Sequence, residues 1–208
     1  MRSSPDDDRL RSSRFWLDTS QEWAVTWTAD EPMARSCHAL AHEGRVWLVD
    51  PLTDDKALDA AEALGQVAGV IQLLDRHNRD CEALARRYDV PHLRLPEQLP
   101  DTPFEVARTV WLPGWRELAL WLPGQSALVV SEAVGTGAYF ALAGRRAGIH
   151  PMLRLRPPRV LRRHRPRHLM VGHGPSLHDG TADALDEALS RSLIDIPRVP
   201  AAMVRAYR

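Results

Sequence analysis

The stretch GVIQLLDRHNRDC, residues 69–81, decides how the rest of the chain is interpreted. It begins with an apolar segment, Val70 to Leu74, which is typical of a strand buried on both faces. Six polar or ionisable residues and a thiol follow directly. In α/β folds, the side chains that bind ligands or carry out chemistry lie at such strand ends. The sequence therefore predicts a functional site immediately after this strand.

The segments before and after this stretch predict alternating strands and helices. Three strands come first, at residues 22–27, 37–40 and 46–49. A helix capped by Thr53 separates the third of these strands from the strand that leads to the site. A second helix, residues 80–88, follows the polar cluster. This β-α-β-α-β order is typical of a layered α/β domain.

The second half of the chain predicts a meander. Its three strands lie at residues 106–112, 117–122 and 126–130, and a Pro-Gly pair follows each of the first two. A short strand at 169–171 and a helix at 181–192 capped by Thr181 complete the pattern. We expect one domain over residues 14–196, between a disordered N-terminal tail, 1–13, and an irregular C-terminal tail, 197–208.

Composition excludes several classes of protein. The formal net charge is zero, so no overall positive field attracts nucleic acid or an acidic membrane. The two cysteines cannot form a disulfide framework. The N-terminal residues do not form a signal peptide, and no apolar segment reaches the roughly 18 residues of a membrane span. We therefore expect a cytoplasmic protein with reduced thiols and no contact with a membrane.

Five segments resemble, in order, the motifs of the metallo-β-lactamase superfamily, and the resemblance covers residues 35–190. Residues 46–50 are similar to its early strand that ends in a structural aspartate, and residues 74–80 to its His-x-His-x-Asp-His motif. Three later segments are similar to its Pro-Gly-His turn, its Gly-Asp strand end and its late His-Gly, namely residues 112–115, 129–133 and 171–174. The resemblance implies an αββα sandwich, in which two mixed β-sheets pack face to face between outer helices.

The resemblance also implies which residues correspond to the metal ligands of the family. The first metal would be held by Asp75, His77 and Trp115, the second by Arg79, Asp80 and His173, and Glu132 would bridge the two. Asp50 would be structural and would bind loop amides. An indole nitrogen only donates hydrogen bonds, and a guanidinium repels a dication. The chain is therefore expected to have a degraded metal site and no cofactor, as a pseudoenzyme or a protein that binds a small molecule.

Two hypotheses follow for the chemistry of the site. In one, the charge of Arg79 replaces that of a metal among Asp75, Asp80 and Glu132. In the other, an inserted residue after His77 aligns Asp80 and Cys81 with family ligands, because a thiolate can bind zinc. The chain would then be a single-zinc hydrolase of an ester or thioester. Its metal ligands would come from five residues: His77, Asp80, Cys81, Glu132 and His173.

An arginine-rich segment supports an alternative from another class, a nucleic-acid-binding module. Residues 154–168 contain seven arginines, from Arg154 to Arg167. The segment has no interleaved aromatic residue and is interrupted by prolines, whereas Val160 and Leu161 suggest a face that packs inward. A solvated loop with a short helix is therefore favoured over a nucleic-acid interface. The expected partner of the protein is a small molecule.

Overall fold

The computed structural model describes residue 12, residues 14–142, residues 144–200 and residue 204. Its largest sheet has six strands in sequential order. They are β1 (Phe15–Gln21), β2 (Ala24–Ala29), β3 (Ser36–His42), β4 (Arg45–Val49), β5 (Gln66–Gln72) and β6 (His92–Arg94). The first four strands pair antiparallel, and β4, β5 and β6 pair parallel. This sheet is mixed, as predicted.

A second mixed sheet has four strands in the order β12-β9-β8-β7. Its strands are β7 (Glu105–Leu112), β8 (Trp115–Leu122), β9 (Ala127–Val130) and β12 (His168–Val171). The predicted meander forms β7, β8 and β9, and β12 joins β9 in parallel. Two short strands, β10 (Val134–Gly135) and β11 (Gly148–Ile149), pair with each other beside this sheet.

Three α-helices and three 3₁₀ helices complete the secondary structure of the described residues. The α-helices are α1 (Asp55–Glu62), α2 (Cys81–Tyr88) and α3 (Thr181–Arg191). The 3₁₀ helices are Pro151–Leu153, Arg159–Arg163 and Ile196–Arg198. No helix in the described part of the chain is both long and apolar enough to span a membrane.

The alternation of side chains along the strands produces the layers. In β4, Val46 and Leu48 pack into a core cluster that contains the buried residues of α1 and α2, whereas Trp47 and Val49 face the other way. In β8, Leu118 packs with Trp47 and Val49 between the two sheets. The opposite face of the second sheet packs with α3. The layers are therefore α, β, β and α, which confirms the predicted αββα sandwich.

Several predicted boundaries shift in the structure. Asp54, not Thr53, caps α1, and its carboxylate accepts the N–H of Ala57. Gly180, not Thr181, lies at the cap of α3, and the hydroxyl of Thr181 donates to the carbonyl of Pro166. Of the predicted tail 1–13, only Ser12 lies within the described residues. The predicted irregular C-terminal tail begins inside the last 3₁₀ helix, and residues 201–203 and 205–208 lie outside the description.

The chain that follows β5 connects the two sheets. Asp75 donates its N–H to the carbonyl of Arg116, and Leu118 donates its N–H to the carbonyl of Leu73. These bonds attach the segment after the first sheet to β8 of the second sheet. The polar residues 75–80 therefore lie where the two sheets meet, at the carboxyl ends of β5, β9 and β12.

Candidate metal centre

Three side chains that can bind a metal converge at this edge of the sandwich. His77 comes from the loop after β5, Glu132 from the segment after β9, and His173 from the segment after β12. One potential ligand atom from each lies within 4.8 Å of the others. Among the described residues, no other group of three such side chains lies so close together. The structure thus joins three of the seven positions that the resemblance identified.

Asp50 holds His77 in one orientation. Asp50 Oδ1 accepts the N–H of Leu73 at 2.9 Å, and Oδ2 accepts the hydroxyl of Ser131 and lies 3.2 Å from His77 Nδ1. Because an ionised carboxylate cannot donate, the proton lies on Nδ1 and the lone pair on Nε2. Burial and the charge of Arg79 lower the pKa of His77, so the ring is neutral at neutral pH. Asp50 thus binds the Leu73 amide and His77 with its two carboxylate oxygens.

His173 is oriented in the same way by a backbone carbonyl. Its Nδ1 lies 2.9 Å from the carbonyl oxygen of Met33, so this nitrogen carries the proton. Its Nε2 is buried and has no hydrogen-bond partner in the described structure. Burial lowers the pKa of the ring to about 4. A buried acceptor without a partner costs about 1–3 kcal/mol, which calls for a functional explanation.

A glycine allows His173 to come this close to the segment after β9. A Cβ atom on Gly172 would lie 2.1 Å from the carbonyl oxygen of Ser131. No side chain fits in that space, so only glycine permits the ends of β9 and β12 to approach. The residues after Ser131 and Gly172 are Glu132 and His173. The glycine therefore contributes directly to the geometry of the cluster.

Arg76 lies over the mouth of the site and binds the third member of the cluster. Its Nη2 and Nε donate to Glu132 Oε2 at 2.7 and 3.2 Å, and its Nη1 donates to the carbonyl of Gly114 at 3.0 Å. The guanidinium carbon lies 4.1 Å from the centre of the Trp115 ring. Burial acts to raise the pKa of Glu132, but the positive charges around it lower the pKa overall. Glu132 is therefore an ionised carboxylate.

His150 also faces this cluster, although the resemblance assigned it no role in the site. Its side chain is buried, and its Nδ1 accepts the N–H of Met152 at 3.2 Å. Since Nδ1 is an acceptor, Nε2 carries the proton, and Nε2 lies 4.0 Å from Glu132 Oε1. Burial lowers the pKa of His150 to about 4. The ring is therefore a neutral donor beside Glu132.

Glu117 binds the backbone of the metal-centre residues, a role that was not predicted from the sequence. It is fully buried; Oε1 accepts the N–H groups of Glu132 and Ala133, each at 2.9 Å, and Oε2 accepts the indole N–H of Trp115 at 3.0 Å. Burial raises its pKa to about 7, although the three donors favour the ionised form. One signal was present in the sequence. Glu117 alternates with Trp115 and Ala119 on the apolar face of β8, where an acid is out of place.

Three of the remaining family positions form other contacts. The indole of Trp115 donates to Glu117, as described above. Asp75 Oδ2 accepts the N–H of Arg116 at 3.0 Å. Asp80 Oδ2 accepts the N–H of Thr53 at 2.7 Å. Asp80 also lies at the cap position of α2, but its side chain does not cap that helix. None of the three belongs to the cluster.

Arg79 has other partners than the charge-substitution hypothesis predicted. Its Nη1 donates to the carbonyls of Ser36 and Asp50 at 2.6 and 2.7 Å, and its Nη2 donates to that of Gly172 at 3.2 Å. Within the described structure, its hydrogen bonds to oxygen thus go to backbone carbonyls and not to Asp75, Asp80 or Glu132. The predicted ion-pair cluster is wrong, because the side chain extends beneath the site. There it joins β3, the end of β4 and the end of β12.

Cys81 does not contribute a ligand either. It is buried in the core cluster below α1 and α2, and its thiol donates to the carbonyl of His77 at 3.7 Å. Burial raises the pKa of this thiol well above its usual value. The hypothesis that Asp80 and Cys81 are metal ligands is therefore wrong, since the Asp80 side chain binds an amide and the Cys81 side chain faces the core.

The donor atoms fit one metal ion and do not fit two. The two-metal set would need ligands from Asp75, Trp115, Arg79 and Asp80, which bind other groups. The single-metal set offers two imidazole Nε2 atoms and a carboxylate, a common combination for a divalent transition metal. A carboxylate or carbonyl binds the other nitrogen of each histidine, as it does in most histidine–metal sites. The buried, unpartnered Nε2 of His173 is the specific observation that supports this fit.

The arginine-rich segment packs against α3. Arg162 pairs with Asp186 at 2.8 Å, and Arg165 lies 4.0 Å from Asp183. Arg154 is buried and donates to the carbonyl of Phe140 at 2.8 Å. These contacts support the predicted packed loop and short helix. Three of the seven arginines of the segment thus bind groups of the protein itself.

Comparison with known proteins identifies the fold. The sequence matches no protein-family model and no curated protein sequence. The structure is similar to the metallo-β-lactamase DIM-1 exposed to ceftazidime, with 12% identity, a TM-score of 0.57 and coverage of 88% of this chain and 99% of that one. It is also similar to a metallo-β-lactamase from Erythrobacter litoralis, with 12% identity, a TM-score of 0.60 and coverage of 90% and 94%. It is also similar to the structure of TMB-1, with 11% identity, a TM-score of 0.56 and coverage of 91% of this chain and 100% of that one. At these identities the likeness concerns the fold alone, and this chain has the metallo-β-lactamase fold.

Proposed function

We propose that the protein binds one divalent metal ion, of which zinc is the best candidate, through His77, Glu132 and His173. We further propose that it hydrolyses a small ester or thioester. The observation that carries this proposal is the pair of neutral imidazoles, His77 partly buried and His173 buried, whose Nδ1 atoms are bound by Asp50 and Met33. Both Nε2 lone pairs are therefore available. The carboxylate of Glu132 completes the set within 4.8 Å.

The residues at the mouth have defined roles in this proposal. When bound, a divalent cation supplies Lewis acidity toward the carbonyl oxygen of the substrate. Arg76 holds the Glu132 carboxylate and presents its remaining N–H groups to the solvent side, where they bind an oxygen of the substrate. His150 presents a protonated Nε2 beside Glu132 and orients a water or the leaving group by donating to it.

A second candidate function, a metal-free pocket for a small anionic ligand, is favoured by the charges. Arg76 neutralises Glu132 in the absence of a metal, and Arg79 contributes a further positive charge beneath the two histidines. A dication entering this site meets two guanidinium groups, which weakens its binding. The hypothesis of a degraded site that binds no metal therefore remains an alternative to the single-metal hydrolase. A measurement of the metal content distinguishes the two functions.

The decisive experiment is zinc titration of the chelator-treated protein by calorimetry, followed by elemental analysis after dialysis. The single-metal proposal expects one equivalent of zinc. His173→Gln should abolish tight binding, because it removes a ligand that makes no other contact through Nε2. If the wild-type protein retains well under one equivalent of zinc after exposure to excess zinc, the single-metal function is excluded and the metal-free pocket is supported.

Two matched variants control this experiment. Cys81→Ser should retain the full zinc content, since the thiol faces the core; a loss of zinc would restore the rejected ligand set. His42→Gln, a half-exposed histidine whose ion-pair contact is with Glu43 at 3.8 Å, should also retain zinc. Hydrolysis of a panel of small esters and thioesters should then require zinc and fall in His77→Gln.

A further inference from the structure

A second polar cleft lies beside the start of α2, at the carboxyl ends of β5 and β6. It has a volume of about 600 Å³, which is within the usual range for sites that bind small molecules. Its walls include Gln72, Asn78 and His92 and three arginines, Arg79, Arg86 and Arg94. None of these residues belongs to the His77–Glu132–His173 cluster. The loop 75–80 contributes to both sites, because His77 belongs to the cluster whereas Asn78 and Arg79 line the cleft.

The floor of the cleft is a hydrogen-bond chain with a fixed direction. The amide nitrogen of buried Gln72 donates to the carbonyl of Leu74 at 2.9 Å and faces Asn78 Oδ1 at 3.4 Å. Gln72 Oε1 is therefore an acceptor, and it lies 3.1 Å from His92 Nε2, which must carry a proton. Because Asn78 uses its oxygen toward Gln72, its NH₂ group is left for the cleft. The chain therefore leaves an amide donor facing the open space.

The charged groups around the cleft are predominantly positive. Arg94 is held in place by a hydrogen bond of 2.8 Å from Nη2 to the carbonyl of Asp75, and its other guanidinium donors are not used by that bond. Arg86 pairs with Glu82, which is the acid in the lining. Asp80 binds the Thr53 amide instead of capping α2, so the first turn of the helix at the cleft also has no side-chain cap. The cleft therefore has an excess of hydrogen-bond donors and of positive charge.

We propose that this cleft binds a small phosphorylated molecule, with the phosphate held between Arg94, Arg86 and Asn78. Planar guanidinium groups bind phosphate oxygens in pairs, and an amide NH₂ adds a third donor. The volume leaves room for an organic part beyond the phosphate. Glu82 competes with the ligand for Arg86. This site shares none of the three proposed metal ligands, although Arg79 lies in its wall and also donates to the carbonyls of Asp50 and Gly172 beneath the metal centre.

The experiment is calorimetric titration of the full chain with pyrophosphate and with inorganic phosphate at constant ionic strength. We expect saturable binding of pyrophosphate and weaker binding of phosphate. Arg94→Gln and Arg86→Gln should each weaken the binding by about tenfold or more, since each removes charge-assisted hydrogen bonds. Glu82→Gln should strengthen it, because the substitution releases Arg86.

Two controls locate the binding. Arg87→Gln removes an arginine from the same helix that lies 3.6 Å from Asp55 and outside the cleft, and should leave the affinity unchanged. Arg76→Gln should also leave it unchanged, which separates this cleft from the metal centre. The proposal is overturned if pyrophosphate shows no saturable binding, if citrate binds as tightly, or if Arg87→Gln weakens binding as much as Arg94→Gln.

Discussion

The inner and outer layers of the candidate metal centre stabilise charge in different ways. In the inner layer, Arg79 donates to three backbone carbonyls, and Glu117 accepts two backbone N–H groups and an indole N–H. In the outer layer, Arg76 and Glu132 bind each other at the mouth. The inner charges are therefore part of the framework, whereas the outer pair can exchange partners with a ligand.

Removing the inner cation should give the largest effect. Arg79→Gln should lower the free energy of unfolding by about 3–5 kcal/mol, because three buried carbonyls lose their charged donor. Urea unfolding followed by fluorescence measures this loss. Arg116→Gln, which removes an exposed arginine near Asp75, is the matched control and should cost less than about 1 kcal/mol. Equal losses in the two variants would contradict the assignment of Arg79 to the framework.

The inner acid should give a pH-dependent effect. Burial raises the pKa of Glu117 to about 7 from its usual 4.5, so the folded protein binds a proton that the unfolded chain releases. The contribution of Glu117 to stability is therefore full below pH 4.5 and is lost as the pH rises to about 7, by about 3 kcal/mol. Glu117→Gln removes this dependence.

The measurement is the difference in unfolding free energy between wild type and Glu117→Gln from pH 4.5 to 8. The buried histidines titrate in the same range with the opposite sign, but they are present in both proteins and cancel in the difference. Glu97→Gln, at an exposed acid paired with Arg108, should show no such trend. A difference that stays constant with pH would show that Glu117 keeps its charge when buried.

Removing the outer cation should change binding more than stability. Arg76→Gln frees the Glu132 carboxylate and removes a positive charge from the mouth, so zinc should bind about tenfold more tightly. The free energy of unfolding should change by less than about 1 kcal/mol, because the Arg76 side chain is 41% exposed. Calorimetry and urea unfolding give the two values. Weaker zinc binding in this variant would mean that Arg76 assists the metal site by orienting Glu132.

The smallest effect is expected outside both layers. Arg162→Gln should change stability by less than about 0.5 kcal/mol, because its pair with Asp186 is half-exposed. If the arginine-rich segment is only a packed loop, neutralising Arg162 and Arg163 together should not alter retention of the protein on heparin or DNA at any salt concentration. A salt-dependent loss of DNA binding in the double variant would instead support the nucleic-acid function.

Strand alternation and Pro-Gly turns are local signals, so they predicted most of the strands, whereas the αββα sandwich followed from the resemblance to the metallo-β-lactamase superfamily. The same resemblance pointed to His77, Glu132 and His173, which the structure brings within 4.8 Å of one another. The sequence did not reveal the partners of Arg79, because a long side chain can reach carbonyls from three distant segments. His150 was missed for a similar reason: it faces Glu132 only after β10 and β11 pair.

The bonds of Arg79 have a consequence for any attempt to engineer a second metal site into this protein. Arg79→Asp alone would not create a second metal site, because the carbonyls of Ser36, Asp50 and Gly172 would lose their donor and face a carboxylate instead. Trp115 would still fill another ligand position. A two-metal site at this edge of the fold would therefore require several substitutions together, including one that replaces the support of these carbonyls.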